Sequence, residues 1–141
     1  MTKVMATGVF DILHLGHIYF LTEAKKLGDE LVVVVARDST AERLKRKPIM
    51  DENTRLKIVS SLKVVDEARL GNKDDIFKTV EEIKPNIIAL GYDQKFDEKK
   101  IEKECLRRGL KVKVVRIGKY VGGDLSATRK IISKIVSTYG R

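Results

Sequence analysis

The segment Leu31-Val32-Val33-Val34-Val35-Ala36 sets six apolar residues in a row. A half-exposed strand would alternate, and an amphipathic helix would interrupt the run with polar positions. A short unbroken run of mostly β-branched residues suits a strand buried on both faces, as in a parallel sheet covered by helices. The rest of the chain agrees with that frame. Lys3–Thr7 reads as a first strand, and 18–27 as a helix with Tyr19, Phe20, Ala24 and Leu27 turned inward. Gly28 is expected to end this helix in a left-handed conformation. Asp51 is placed to cap a helix over 52–62, and Val64-Val65 starts a third strand. Asp74–Ile83 reads as a helix stopped by Pro85, and Asn86–Leu90 as the fourth strand. Asp97–Arg108 reads as a charged helix ended by Gly109, and Val112–Val115 as the last strand. A final helix begins near Ser126. Five strands alternating with about five helices give an α/β chain with an open parallel sheet and helices on both faces.

These elements use nearly all of the 141 residues, so one domain over 1–141 is expected, with no room for a second. The longest stretch free of Lys, Arg, Asp and Glu runs from Ile12 to Thr22. That is well short of the roughly 20 residues a membrane-spanning helix needs. The first residues do not read as a secretory signal. Cys105, the only cysteine, leaves neither an internal disulfide nor a cysteine-built metal cage. A soluble, cytoplasmic protein is expected. The charge is less specific: 29 Lys and Arg against 20 Asp and Glu leave +9, which would attract nucleic acid, an anionic membrane or phosphorylated small molecules.

In an open parallel sheet, ligands bind where the loops leave the carboxyl ends of the strands. Those loops are 8–17, 37–51, 91–97 and 117–126. The first carries both histidines of the chain, His14 and His17, three residues apart at the start of a helix. That spacing sets both imidazoles on one side of the first turn. Gly8 permits a tight turn, and Gly16 removes a side chain where an anion would approach the free amides of the helix start. Zinc-protease histidines sit four apart with a glutamate beside the first, and no such glutamate occurs here. Asp11 is open to two readings, completing a metal site or orienting an amide.

The stretch Gly8-Val9-Phe10-Asp11-Ile12-Leu13-His14-Leu15-Gly16-His17 resembles the GxFDxxHxGH motif of the cytidylyltransferase-like nucleotidyltransferases, matching at every fixed position. The segments Ala36-Arg37-Asp38, Lys47-Pro48-Ile49, Gly91-Tyr92-Asp93-Gln94 and Val114-Val115-Arg116-Ile117 most resemble the archaeal FAD synthases within that superfamily. The resemblance implies a Rossmann-like fold, a divalent metal, usually magnesium, and transfer of a nucleoside monophosphate from a triphosphate to a phosphorylated acceptor. It implies ATP as donor and FMN as acceptor. The rivals are CTP with glycerol 3-phosphate, and a sugar-phosphate acceptor. Relatives of this kind often form homodimers.

The same resemblance implies roles for other residues. Lys45 or Lys47, in the basic run Arg43–Pro48, would touch the triphosphate or the acceptor phosphate. Arg55 would serve the acceptor or a subunit interface, and Gly91 with Asp93 would contribute to the nucleotide pocket. Near the end of the chain, Leu125-Ser126-Ala127-Thr128 departs from the family's serine-threonine run at Ala127. Its lead, Tyr120–Asp124, also lacks the R-T-E-G sequence of the cytidine-specific branch. From the residues themselves, Ser126 stands where an N-cap belongs, and a helix start bearing Ser126, Thr128 and Arg129 suits a phosphate.

An acceptor phosphate is already anionic near neutral pH, so the expected catalysis rests on positioning and charge neutralisation. His14, His17 and the amides around Val9 and Phe10 would hold the phosphates. Lys45 or Lys47, Ser126, Thr128 and Arg129 would steady the leaving pyrophosphate. The alternative outside enzymology is an RNA-binding basic domain. The cationic run has no aromatic residue beside it, as RNA modules usually do, so small polyanions are favoured over nucleic acid.

Overall fold

The apolar run forms β2 (Glu30–Val35), and its two sets of alternating side chains enter two different cores. Leu31, Val33 and Val35 join Val4 and Ala6 of β1 (Lys3–Gly8) on one face, while Val32 and Val34 join Met5 on the other. The computed structural model describes residues 1–123 and 125–140, so Asp124 of the glycine-containing loop and Arg141 lie outside it. β1 and β2 are followed by β3 (Glu67–Leu70), β4 (Ile87–Leu90) and β5 (Lys113–Arg116). All pair in parallel, in the order β3-β2-β1-β4-β5. This is a Rossmann-like sheet, and its order reverses between β1 and β4, the place where such sheets take their ligands.

Leu21 and Ala24 of α1 (Leu15–Lys25) and Val59 of α3 (Glu52–Ser60) cover the first face. Val80 and Ile83 of α4 (Ile76–Ile83) and Cys105 of α5 (Glu98–Arg107) cover the second. A seven-residue helix, α2 (Asp38–Leu44), occupies part of the segment expected to be loop. Its one buried residue, Ala41, gives too little apolar periodicity to announce it. The last helix, α6 (Thr128–Tyr139), buries none of its residues completely, and Ile135, Val136 and Tyr139 stay exposed. No helix among the described residues is long and apolar enough to cross a membrane.

Two local expectations change. The third strand is 67–70 rather than Val64-Val65. Those two valines pack into the first core from the turn after α3, while the strand itself carries Glu67 and Arg69 at the edge of the sheet, where charge is normal. Gly28 is not left-handed. It is required because a Cβ there would lie 2.7 Å from the carbonyl oxygen of Thr2. That oxygen already accepts the amides of Asp29 and Glu30, which lead into β2. The left-handed residue that ends α4 is Lys84 (φ 54°), just before Pro85, whereas Gly109 (φ 81°) follows α5 as expected. Gly28→Ala is therefore expected to cost about 1–3 kcal/mol, because the atom it strikes is backbone in use. A drop in the urea midpoint with an unchanged slope checks this.

Candidate active site

The loop after β1 is strained and then fixed. Phe10 (φ 56°) and Ile12 (φ 52°) are both left-handed without being glycine, and they flank Asp11. Such backbone costs of order 1–3 kcal/mol per residue and survives only where its surroundings impose it. The ring of Phe10 imposes it on one side. It is buried in the first core, and a Cβ at Gly8 would lie 2.8 Å from its Cζ. Gly8 thus makes room for Phe10 rather than directly for a ligand. On the other side Asp11, only 4% exposed, accepts the amides of Ile49 (2.8 Å) and Met50 (2.9 Å) and pairs with Arg46 (3.2 Å). Of its two readings, orienting amides is the one observed.

α1 begins in a reciprocal cap made of its two histidines. His14 Nδ1 accepts the Gly16 amide (3.0 Å), and His17 Nδ1 accepts the His14 amide (3.2 Å). The rings stack at 3.8 Å between centroids, and the ring of Phe10 lies 5.5 Å from that of His17 in a T-shaped contact. A nitrogen that accepts an amide proton carries none itself, so each neutral ring bears its proton on Nε2. Burial holds His17 neutral. Desolvation, then the charges of His14 and Lys45, lower its pKa to about 3 against a partial upward pull from Asp11. Desolvation lowers His14 as well. The helix start therefore presents two fixed, neutral N–H donors.

The flanking groups divide clearly. The Lys45 side chain, just beyond α2, is exposed, has no ion-pair or hydrogen-bond partner among the described residues, and its charge helps to lower the pKa of His17. Arg46 is occupied with Asp11 and the Lys47 carbonyl, while Lys47 points to solvent. On the opposite side the chain before α6 presses on the cap. A Cβ at Gly16 would lie 2.7 Å from the Ser126 carbonyl oxygen, so this glycine admits the C-terminal segment. Thr128 Oγ1 donates to the Asp11 carbonyl (2.7 Å), which ties α6 to the first loop and commits its proton. Ser126 is not the N-cap. The cap is Ala127, without a side-chain bond, while Ser126 Oγ donates to the Gly123 carbonyl and accepts from Lys130 Nζ. Ala127 thus leaves the start of α6 uncapped, and Arg129 is exposed beside it.

Arg55 overturns an expectation. It is 0% exposed, so it serves neither an acceptor nor an interface. Its guanidinium donates to the carbonyls of Val9 (2.8 Å), Ala36 (2.7 Å) and Met50 (3.0 Å) and to Asp38 Oδ1 (2.6 Å), joining the loops after β1 and β2 to the start of α3. Arg116, not foreseen as a site residue, plays the same part after β4. It donates to the carbonyls of Gly91, Gln94 and Phe96 and pairs with Glu98, all within 2.6–2.8 Å. Gln94 adds a bridge, accepting the Gly91 amide and donating to the Thr7 carbonyl of β1. Gly91 thus lies against the first strand, and Asp93 is exposed at the tip of this loop. A cation at the end of an edge strand was the available signal for Arg116.

Comparison with known proteins shows the family of the chain. The Cytidylyltransferase-like family matches residues 5–139. The chain belongs to that family. This cytidylyltransferase-like chain is 71% identical to the FAD synthase of Aciduliprofundum boonei over 136 residues, covering 96% of this chain and 91% of the relative. It is 59% identical to the FAD synthase of Thermoplasma volcanium over 140 residues, 99% and 98% of the two chains. A crystal structure described as the lipopolysaccharide core biosynthesis protein from Thermoplasma volcanium superposes with a TM-score of 0.84 at 64% identity, covering 86% of this chain and 99% of that one. A pantoate-beta-alanine ligase from Francisella tularensis shares the fold alone, with a TM-score of 0.65 at 16% identity.

Two outcomes follow for this cytidylyltransferase-like site. Arg55→Met is expected to lose about 3 kcal/mol or more, because three buried carbonyls and Asp38 lose their donor at once. Chemical denaturation measures it. The second outcome is a pH dependence. The folded pKa of His17 lies below its unfolded value near 6.5, so the unfolded chain binds the extra proton. This contribution is complete above about pH 6.5 and is lost as pH falls toward 3. Between about 6.5 and 4.5, above the range of the carboxylates, His17→Asn should flatten the fall in stability seen in the parent chain.

Proposed function

We propose that this chain makes FAD, moving AMP from ATP to the phosphate of FMN and releasing pyrophosphate. The identity to FAD synthases over nearly the whole chain supports the substrate pair. The observation that carries the chemistry is the pair of neutral imidazoles with their protons on Nε2, set between a free lysine and an uncapped helix start.

An FMN phosphate oxygen attacks the α phosphorus of ATP and forms the new P–O bond. The bond from that phosphorus to the α–β bridging oxygen breaks, and its electron pair leaves with pyrophosphate. The attacking oxygen is already deprotonated near neutral pH, so no base is required. His14 and His17 donate Nε2–H to the α phosphate as charge grows on its oxygens. Their neutral state costs nothing to maintain at pH 7, and rings locked by the reciprocal cap need no reorganisation. The start of α6 with Arg129 receives the β and γ phosphates. Lys45 holds the acceptor phosphate against the α phosphorus.

Magnesium fits this scheme as a companion of the triphosphate. Among the described residues no three His, Cys, Asp or Glu side chains gather as a ligand set, and the Asp11 carboxylate is filled by two amides and Arg46. Magnesium is commonly held mainly by substrate phosphates and water, with one or two protein carboxylates. When bound it neutralises part of the triphosphate charge, and Asp93 is the exposed carboxylate at the mouth.

Pyrophosphate release should appear with ATP, FMN and magnesium. Release only with CTP and glycerol 3-phosphate would reject the reading. His14→Ala and His17→Ala should each lower kcat by about 10²–10³, the usual loss when one donor to a developing anion is removed. Lys45→Ala should cost more than Lys47→Ala, since of the two only the Lys45 charge acts on His17.

A further inference from the structure

Asp11 is held by two different parts of the chain. Its carboxylate takes the amides of Ile49 and Met50 and the guanidinium of Arg46. Its main-chain carbonyl has one partner among the described residues, the hydroxyl of Thr128, 2.7 Å away and 117 residues along the chain. The carboxylate bonds hold the basic loop. The carbonyl bond acts on the peptide unit whose nitrogen belongs to Ile12, and Ile12 is left-handed (φ 52°). A left-handed residue other than glycine keeps that shape only while its surroundings restrain it. Two residues further on, His14 caps α1 and accepts the Gly16 amide, and its own amide goes to His17. Thr128 therefore restrains the turn directly ahead of both imidazoles.

Little else sets α6 against that turn. Among the described residues, α6 makes no other hydrogen bond to the loop after β1. Ser126, just ahead of the helix, meets α1 through its carbonyl oxygen, in the space that a Cβ at Gly16 would need. His14, Leu15, Ile18, Leu125 and Ile131 leave a depression between the cap and α6 rather than a closed contact. The helix buries none of its residues completely, so its apolar face does not lock it in place. One polar bond then carries the register between α6 and the histidine loop. A hydroxyl proton spent on a carbonyl is also not free for a phosphate, although threonine at a helix start suits one.

We propose that Thr128 is a positioning residue, whose hydroxyl acts on His14 and His17 through the Asp11 carbonyl and does not itself bind phosphate. The proposal rests on the reading of the chain as an ATP:FMN adenylyltransferase. Thr128→Val keeps the shape of the side chain and removes the donor, while Thr128→Ser keeps the donor. Ser137→Ala, which removes a hydroxyl near the far end of the same helix, serves as control. Two measurements are made on each variant. Nitrogen NMR of the imidazoles in the substrate-free protein reports where each ring carries its proton and how firmly it is held. Steady-state kinetics with ATP, FMN and magnesium give kcat and KM. Thr128→Val is expected to shift or broaden the signals of His14 and His17 and to lower kcat by about tenfold or more, with the KM for ATP near the parental value. Thr128→Ser should restore both, and Ser137→Ala should match the parent. Unchanged histidine signals in Thr128→Val would overturn the proposal, because a hydroxyl that touches phosphate acts only once substrate is bound. Shifted signals with a parental kcat would overturn it as well, and so would a rise in the KM for ATP as large as the fall in kcat. Thr128→Ala gives the same comparison should the valine variant not fold. If the parent chain does not turn over FMN, the FAD reading fails, and the histidine spectra still decide what Thr128 does.

Discussion

A single buried guanidinium organises the working end of the sheet. Arg55 reaches the ends of the first two strands and the turn before its own helix, and gives each a donor that the sheet does not supply. Carbonyls at the ends of strands are normally left to water. Here two of them, with the Met50 carbonyl from the turn before α3, converge on one cation, which fixes the spacing of the loops that carry the histidines and the basic run. Desolvating a guanidinium is expensive, and four acceptors with a carboxylate among them are what make it tolerable. The strained backbone at Phe10 and Ile12 belongs to the same construction, since a left-handed loop holds its shape only against a rigid support.

The electrostatics of the site follow from that rigidity. Because the α1 start is capped by its own imidazoles, the orientation of both rings and the location of their protons are set by backbone amides rather than by the ligand. Lys45 works in the same direction as burial, keeping His17 neutral. His17 therefore stays neutral across the physiological range, and the net positive charge is left to exposed side chains. Phosphates bring their own charge, so neutral donors close to phosphorus and exposed cations form a sensible division.

Much of this was legible in the residues, and the parts that were not share a cause. The buried valine run announced β2 and the sheet, and the spacing of His14 and His17 announced two imidazoles together on the first turn of α1. Periodicity is a property of neighbours in sequence, and both features are local. The family resemblance assigns Arg55 to an acceptor or a subunit interface, and only the tertiary structure shows the carbonyls of Val9, Ala36 and Met50 closing over it. The pair Asp11–Arg46 and the bridge from Gln94 to Thr7 span 35 and 87 residues and leave no pattern in the chain. β3 was displaced for the opposite reason. Val64 and Val65 satisfy a strand template locally, but their burial comes from the turn after α3, while an edge strand with Glu67 and Arg69 has little apolar signature to read.

Arg55 and Arg116 stand on either side of the place where the strand order reverses. One gathers the loops after β1 and β2, and the other gathers the loop after β4, from the end of β5. Each gives most of its donors to main-chain oxygens and one to a carboxylate, Asp38 or Glu98, so both charges are used inside the fold. Lys45, Lys47 and Arg129, the cations that the proposed mechanism or its alternatives assign to phosphates, are all exposed. Gln94 then joins the two halves by bonding Gly91 to the first strand, so that the β4 loop and the histidine loop share one anchor. The loops after β1, β2 and β4 are thereby tied to one another and to the sheet. For a displacement that needs no base, positioning of this kind is most of what a protein must provide.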